Sequence, residues 1–468
     1  MINERLGIEE VHRFANEPVE VLGSLRWDVL HIFDELKRGL QKVGKLGYPI
    51  ASISNDSWGL DYVHLQDHEP ILTLPYHYRD RRTDGALERA FEIVPANVIY
   101  SETGIQFTEM NTLYQLLADL RDRPDIIRLA DKFLNIGDYF NYLFSGVPCS
   151  EETLASTTQL FDSRQRKWSQ FLIEKFHLPA RVFPEVVSSG TRLGPLLPSV
   201  ASEIGLQDTQ VVASCSHDTG AAVAAVPAEG HDWCYLSSGT WSLLGIETAE
   251  PIINAKSQEH NFTNELGYGG TIRFLKNLVG LWIVQECRRQ WAKEGREYAY
   301  DQLMEMAVNA EPFKCLINPA APRFMKPNNM LRKIVDYCHQ TDQDAPEAPG
   351  EIIRCVLESL ALLYRRTLEE ITMVTGREPK YLHIVGGGCK NSLLDQLAAD
   401  ATQLTVLAGP SEATAIGNIL VQAIALGHLG SLAEVRQVVR ESFPPIVFQP
   451  NEASTWQSAY QHFRKLPL

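Results

Sequence analysis

The 468-residue chain is 44% hydrophobic and 22% charged, with 31 Gly and 25 Pro, which excludes collagen-like, low-complexity and disordered classes. At about 150 residues per domain, its length predicts two or three domains with sizeable cores. A formal net charge of −15 disfavours nucleic acid and anionic membrane surfaces as main partners, since both carry the same sign.

No apolar run reaches the roughly 18 residues that a bilayer span needs. MINERLGIEEVHRF is too charged for a secretory signal, so a cytoplasmic location is expected. The eight cysteines, at 149, 215, 234, 287, 315, 338, 355 and 389, include no C-x-x-C pair. Neither a metal site nor a disulfide framework is expected from them. Cys338 and Cys355 are the exception worth marking. They flank HQTDQDAPEAPG, a Pro-rich link that would bring two helix ends within reach of a bond.

Taken in chain order, the first predicted element is a strand over 6–14, with Leu6, Ile8, Val11 and Phe14 in partial alternation. A helix over 28–43 follows, presenting Leu30, Phe33, Leu36, Leu40 and Val43 on one face. NDSWGLDY (55–62) mixes a Trp, a Gly and two acids, as sugar sites often do, although a half-buried strand end reads slightly better. TQVVAS, CSHDTG and AAVAAV read as strand, turn and helix, ended by Pro227. YLSS and WSLLGIE then form a hairpin about Gly239-Thr240. A domain boundary is placed near Pro227–Asp232, giving domains 1–228 and 229–468.

A long helix over 352–374 has apolar residues at helical spacing and Gly376 at its end. YLHIV is a buried strand opening into GGGCKN. NSLLDQLAADAT (helix), LTVLAG (strand) and TAIGNILVQAIALG (helix) complete the series. Strands alternating with helices predict an α/β class with mostly parallel sheets.

Three glycine turns follow strands, where α/β proteins place ligands: SHDTG (216–220), SSGTWS (237–242) and GGGCKN (386–391). None has the spacing of a G-x-x-x-x-G-K-[ST] phosphate loop or of a G-x-G-x-x-G dinucleotide turn. Asp218 is the strongest single candidate for chemistry: an ionised carboxylate in a turn can accept the proton of an attacking hydroxyl. Capping the helix is the alternative role. His217 beside it fits packing or hydrogen bonding. Gly239 and Thr240 could donate to a phosphate or simply turn the hairpin.

ASCSHDTGAAVAAVPA, YLSSGTWSLLGIE, FLKNLVGLWIVQECRRQW and LHIVGGGCKNSLLDQLAADAT, in this order, resemble the FGGY family of carbohydrate kinases. NDSWGLDYVHL, YRDRRTDG and TGIQFTEMNTLYQL resemble the members that phosphorylate the ketose L-rhamnulose; a kinase for L-fuculose is the neighbouring alternative. The resemblance implies two actin/hexokinase-type (ribonuclease H-like) domains around a central cleft, with the last helix docking back on the first. It also implies ATP and Mg²⁺ as co-substrate and cofactor. By matching motif, Asp218 would be the general base toward the carbon-1 hydroxyl. Gly59, His217 and Thr219 would line the sugar site with Asn277, while Thr240, Gln285 and Gly387 would contact the nucleotide.

One departure stands against that pattern. The family opens with a strand, a D-x-G-x-x-S-x-R phosphate loop whose Asp helps to hold Mg²⁺, and a second strand. Here MINERLG matches the turn before the third strand. Asp56 is no substitute, because NDSWG already matches a sugar-side segment. A misplaced start codon is the first expectation and a non-catalytic sugar-binding protein the second. Two strands at about 4.8 Å each would leave a gap beside residues 50–56, or a weakly paired strand at 6–14, with unsatisfied backbone groups at both.

Overall fold

The computed structural model describes residues 5–67, 69–70, 74–451 and 453–468. The chain divides into two compact units. Unit 1 holds the chain up to Ala225 with Glu247–Phe274 and Thr414–Val438; unit 2 holds Val226–Ile246, Leu275–Ala413 and Val439–Leu468. The elements that position the candidate site begin with α1 (Val29–Gly44), β1 (Ser52–Ile53), β2 (Cys149–Glu151), β3 (Thr191–Pro195), β4 (Gln210–Ala213) and α2 (Asp218–Ala224). Next come β5 (Trp233–Ser238), β6 (Trp241–Thr248), β7 (Thr263–Leu266), β8 (Ile272–Val279), α3 (Trp282–Lys293), α4 (Met330–Gln340) and α5 (Pro349–Thr375). The last are β9 (Tyr381–Val385), α6 (Ser392–Thr402), β10 (Thr405–Ala408), α7 (Ala413–Ala425), β11 (Ile446–Phe448) and α8 (Ala453–Phe463).

In unit 1, α1 starts at Asp28, whose carboxylate accepts the His31 N–H at 3.0 Å. Its buried face keeps the expected stripe except at Leu30, with Val29 and Ile32 added. Val29 and Ile32 are buried and Phe33, Leu36 and Leu40 half-buried, whereas Leu30 is 52% exposed. The helix lies over two clusters, around Trp27 and Tyr139 and around Phe144 and Val211, and Phe33 and Leu36 pack against both.

β4 is the middle strand of a sheet ordered β3–β4–β1. It pairs antiparallel with β3 and parallel with β1, Gln210 opposite Ser52 and Val211 opposite Ile53. Residues 6–14 form no strand, which corrects the expectation of a weakly paired one. Their apolar positions are spaced by two and three rather than strictly by two, so no single strand face would collect them. Side chains hold the segment instead. Phe14 packs among Trp27, Val29 and Ile32, and His12 Nε2 lies 2.7 Å from Glu35 Oε2 on α1.

In unit 2 the strands run in the order β8, β6, β5, β9, β10 and β11. β5 pairs antiparallel with β6 and parallel with β9; β9 pairs parallel with β10, and β10 antiparallel with β11. The hairpin, the GGGCKN turn and the flanking helices thus form where the sequence predicts them. On α5, Ile353, Val356, Leu360, Leu363, Tyr364, Leu368 and Ile371 are all buried, and Gly376 ends the helix in the left-handed region at φ 71°. α8 belongs to unit 2, while α7 from Thr414 onward belongs to unit 1. No helix among the described residues is long and apolar enough to cross a membrane.

Gly417 sets how closely α7 approaches α2 inside unit 1. A Cβ added there would lie 1.8 Å from the Ala221 carbonyl oxygen. Gly417→Val should therefore force the helices apart and cost about 1–3 kcal/mol or more, read as a lower urea midpoint. An unchanged midpoint would show that the contact is not tight.

Candidate active site

In unit 1, β4 opens into the turn that carries His217, Asp218 and Thr219. The 55–59 segment runs beside it: Ser57 N–H donates to Ser216 O at 2.9 Å, and Asp218 N–H donates to Ser57 O at 2.9 Å. Gly59 lies two residues further on and is buried against Thr157, whose Oγ1 would stand 3.0 Å from an added Cβ. The structure thus brings Gly59, His217, Asp218 and Thr219 into one neighbourhood. Asp61 steadies the same loop by accepting the indole N–H groups of Trp27 and Trp58, at 2.6 and 3.0 Å. Burial pushes its carboxyl up to about 6, against these donors.

A residue that the sequence did not point to holds the turn in place. Glu151, fully buried at the end of β2, accepts the backbone N–H of Ser216 at 2.9 Å and of Thr153 at 3.0 Å. It also accepts the hydroxyls of Thr153 and Ser189. Thr153 Oγ1 in turn accepts the His217 N–H at 3.0 Å. Burial pushes the Glu151 carboxyl up to about 7, with the Ser189 and Thr153 donors pulling it down.

The His217 ring is set by a second buried group. Arg273, on β8 and fully buried, places its guanidinium 3.0 Å from Nδ1 and pairs with Glu265 of β7 at 3.1 Å. A guanidinium only donates, so Nδ1 must be the acceptor and the ring proton must sit on Nε2. That N–H faces Asp218 Oδ1 at 3.4 Å. Burial, and then the Arg273 charge, hold the ring well below the usual histidine range, so it is neutral.

Asp218 is the first residue of α2 and His217 its cap, so Asp218 does not have the expected alternative role of capping the helix. Its side chain is 43% exposed, and Oδ1 accepts the N–H and hydroxyl of Thr219 at 2.5 and 3.1 Å. Desolvation still raises the carboxyl above the usual range, opposed first by the Thr219 bonds. An accessible carboxylate of raised basicity beside a neutral N–H donor is suited to taking a proton from a hydroxyl.

In unit 2, Thr240 and Gly387 lie on turns at the C-terminal ends of two paired parallel strands, and Gln285 lies in the first turn of α3. β5 leads into Gly239-Thr240 and β9 into Gly386–Gly388, with Ser237 opposite Val385. Gly280, Leu281 and Trp282 donate backbone N–H groups to the Gly239 and Thr240 carbonyls at 3.0–3.2 Å, which pins the start of α3 to the hairpin turn. Thr240 Oγ1 consequently reaches Gln285 Oε1 at 3.3 Å. Asn277 lies half-buried on β8, three residues before this junction.

The Gly386–Gly388 turn has the shape of a cradle. A Cβ on Gly388 would strike Ser238 Oγ at 2.0 Å, whereas nothing lies within 4 Å of one on Gly387. Ser238 Oγ is itself buried, with no hydrogen-bond partner among the described residues. Bare backbone, an open Gly387 and an unpaired hydroxyl fit a phosphate-bearing ligand.

Residues 11–225 match the N-terminal domain of the FGGY family of carbohydrate kinases, and residues 234–426 its C-terminal domain. The chain belongs to this family. Among FGGY relatives it is 43% identical over 441 residues to the rhamnulokinase of Halalkalibacterium halodurans, spanning 94% of this chain and 93% of that one. It is 41% identical over 459 residues to the rhamnulokinase of Bacteroides thetaiotaomicron, spanning 98% and 94%. The FGGY fold is seen in a ligand-bound xylulose kinase from Lactobacillus acidophilus, at TM-score 0.80 and 18% identity over 97% of this chain and 91% of that one. Plasmodium falciparum glycerol kinase with ADP shares it at TM-score 0.78 and 17% identity, over 99% and 93%.

Two outcomes follow from the geometry of this FGGY chain. In an NMR titration His217 should stay neutral below pH ~6.5, where a free histidine gains its proton. Arg273→Gln should move its titration upward, while burial, the larger cause, keeps it below the ordinary value; an unmoved titration would remove Arg273 from that role. For Glu151, the folded value of about 7 lies above an unfolded value of ~4.3, so the folded state binds the extra proton. The resulting stabilisation is full below pH ~4 and is lost as pH rises through 7. Glu151→Gln should flatten that fall in urea melts between pH 5 and 8, and an unchanged slope would contradict it.

Proposed function

We propose that this FGGY kinase transfers the γ-phosphoryl group of ATP to the carbon-1 hydroxyl of L-rhamnulose, giving rhamnulose 1-phosphate, with Asp218 as general base. The substrate assignment rests on the 43% identity, over nearly the full chain, to a relative named as a rhamnulokinase.

Gly59, His217, Asp218 and Thr219 are the residues assigned to the sugar in unit 1, with Asn277 of unit 2 assigned by motif. The Nε2–H of neutral His217 donates toward Asp218 and keeps that carboxylate oriented and anionic. Asp218 accepts the hydroxyl proton as the oxygen becomes nucleophilic. Phosphoryl transfer depends mainly on positioning and charge stabilisation, so one base and many fixed donors suffice.

Thr240, Gln285 and Gly387 are assigned to ATP. Thr240 would exchange its bond to Gln285 for one to a phosphate oxygen, and Gly387 offers bare backbone to the nucleotide. Bound Mg²⁺ would neutralise phosphate charge; it arrives with the nucleotide, and no side chain is assigned to it.

The test is turnover of L-rhamnulose with MgATP by the full chain and by Asp218→Asn. The variant should bind sugar by calorimetry yet turn over about 10²–10⁴-fold more slowly. The acidic limb of the wild-type rate profile should lie above the ~3.9 of an ordinary Asp, because burial raises Asp218 and the base must be ionised. Near-normal turnover in Asp218→Asn would remove the base. A higher kcat/KM for L-fuculose would reassign the sugar, and sugar binding without turnover would favour a non-catalytic sugar-binding protein.

A further inference from the structure

Away from every residue assigned above, unit 2 gathers three cysteines that lie far apart in sequence. Cys315 sits in the connection before α4, Cys338 in the last turn of α4, and Cys355 in the second turn of α5. Their exposures are 2%, 0% and 2%, and their sulfur atoms all lie within 4.8 Å of one another. All three are free thiols, so the Cys338 and Cys355 pair marked in the sequence is present as proximity, without a bond, and a third sulfur joins them. Among the described residues no other group of three His, Cys, Asp or Glu side chains converges in this way.

The connection that carries Cys315 is fixed on both sides. Phe313 N–H donates to Glu358 at 2.9 Å, Leu316 N–H to the Gln343 side chain at 2.8 Å, and Ile317 N–H to Ser359 Oγ at 2.9 Å. Glu358 and Ser359 lie on α5, one turn beyond Cys355, so the backbone around Cys315 is tied to the helix that presents its neighbour. A disulfide would use only two of the three sulfurs. A single ion bound at about 2.3 Å from each would set them roughly 4 Å apart, which the separations of no more than 4.8 Å accommodate. A surface hollow of about 790 Å³ is lined by Lys314, His339 and Ile352, chain neighbours of the cysteines, although the sulfurs themselves do not line it.

We propose that Cys315, Cys338 and Cys355 form a binding site for a thiophilic d¹⁰ cation, Zn²⁺ or Cu⁺. Sulfur ligands select such ions over Mg²⁺, which takes oxygen, so the site is chemically separate from the metal of phosphoryl transfer. Binding forms three metal–sulfur bonds and breaks S–H bonds, each proton leaving to the buffer.

The test uses the full chain, reduced and freed of reductant under anaerobic conditions. It is titrated separately with Zn²⁺ and with Cu⁺ against a chromophoric chelator. One ion per chain is expected, with affinity roughly tenfold weaker or worse in Cys315→Ser and unchanged in Cys389→Ser, whose thiol lies outside the cluster. The ion bound more tightly is the one assigned. Equal affinity in wild type and Cys315→Ser, or no binding of either ion, overturns the proposal. Should Cys315→Ser misfold, X-ray absorption at the metal edge of the wild-type chain decides instead. Three sulfur neighbours support the site, whereas a nitrogen and oxygen shell or fewer sulfurs overturns it.

Discussion

A buried carboxylate governs the active turn of unit 1. Glu151 has no exposure to solvent and, among the described residues, no cation bonded to it; its oxygens accept from N–H and O–H donors. Leaving those donors unpaired would cost about 1–3 kcal/mol each, so Ser216 and Thr153 are held where the carboxylate is. Through Thr153 the constraint passes to the His217 backbone, and through the Ser216 and Asp218 backbones to Ser57. The position of Asp218 is therefore decided by a residue that never needs to touch substrate.

A second constraint sets the chemical state rather than the position. Arg273 can only donate, and its contact at Nδ1 leaves His217 one tautomer. The pair with Glu265 keeps that guanidinium from standing alone in the interior, where an unpaired charge is expensive. A neutral histidine donating toward an accessible aspartate follows from these contacts without any ligand present.

Unit 2 solves a different problem, that of exposing backbone to a ligand. Parallel pairing of β5 with β9 puts two glycine turns at the same end of adjacent strands. Gly388 is a glycine because Ser238 occupies the space of its side chain, while Gly387 is open. Close packing and accessibility thus account for neighbouring glycines in one motif.

Much of this was legible in the sequence. Period-two and period-3.6 patterns located α5, β9 and the hairpin, because burial of apolar side chains repeats with the geometry of the element. Motif order pointed to the family and to Asp218, since a turn after a strand is defined by adjacent residues. The strand expected over 6–14 was misread, and on α1 only Leu30 departed from the expected face, because partial alternation does not say which neighbour will bury a side chain. Glu151, Arg273 and the joining of Cys315 to the Cys338 and Cys355 pair left no local signal. Each acts through a partner 17 to 65 residues away, and in one dimension a buried charge or thiol looks like any other. The sequence by itself determined the elements, the family and the identity of the candidate base, all of which depend on residues close along the chain. Only the tertiary structure decided the tautomer of His217, the support of the turn and the cysteine cluster, because these arise from contacts that exist once distant segments are packed together.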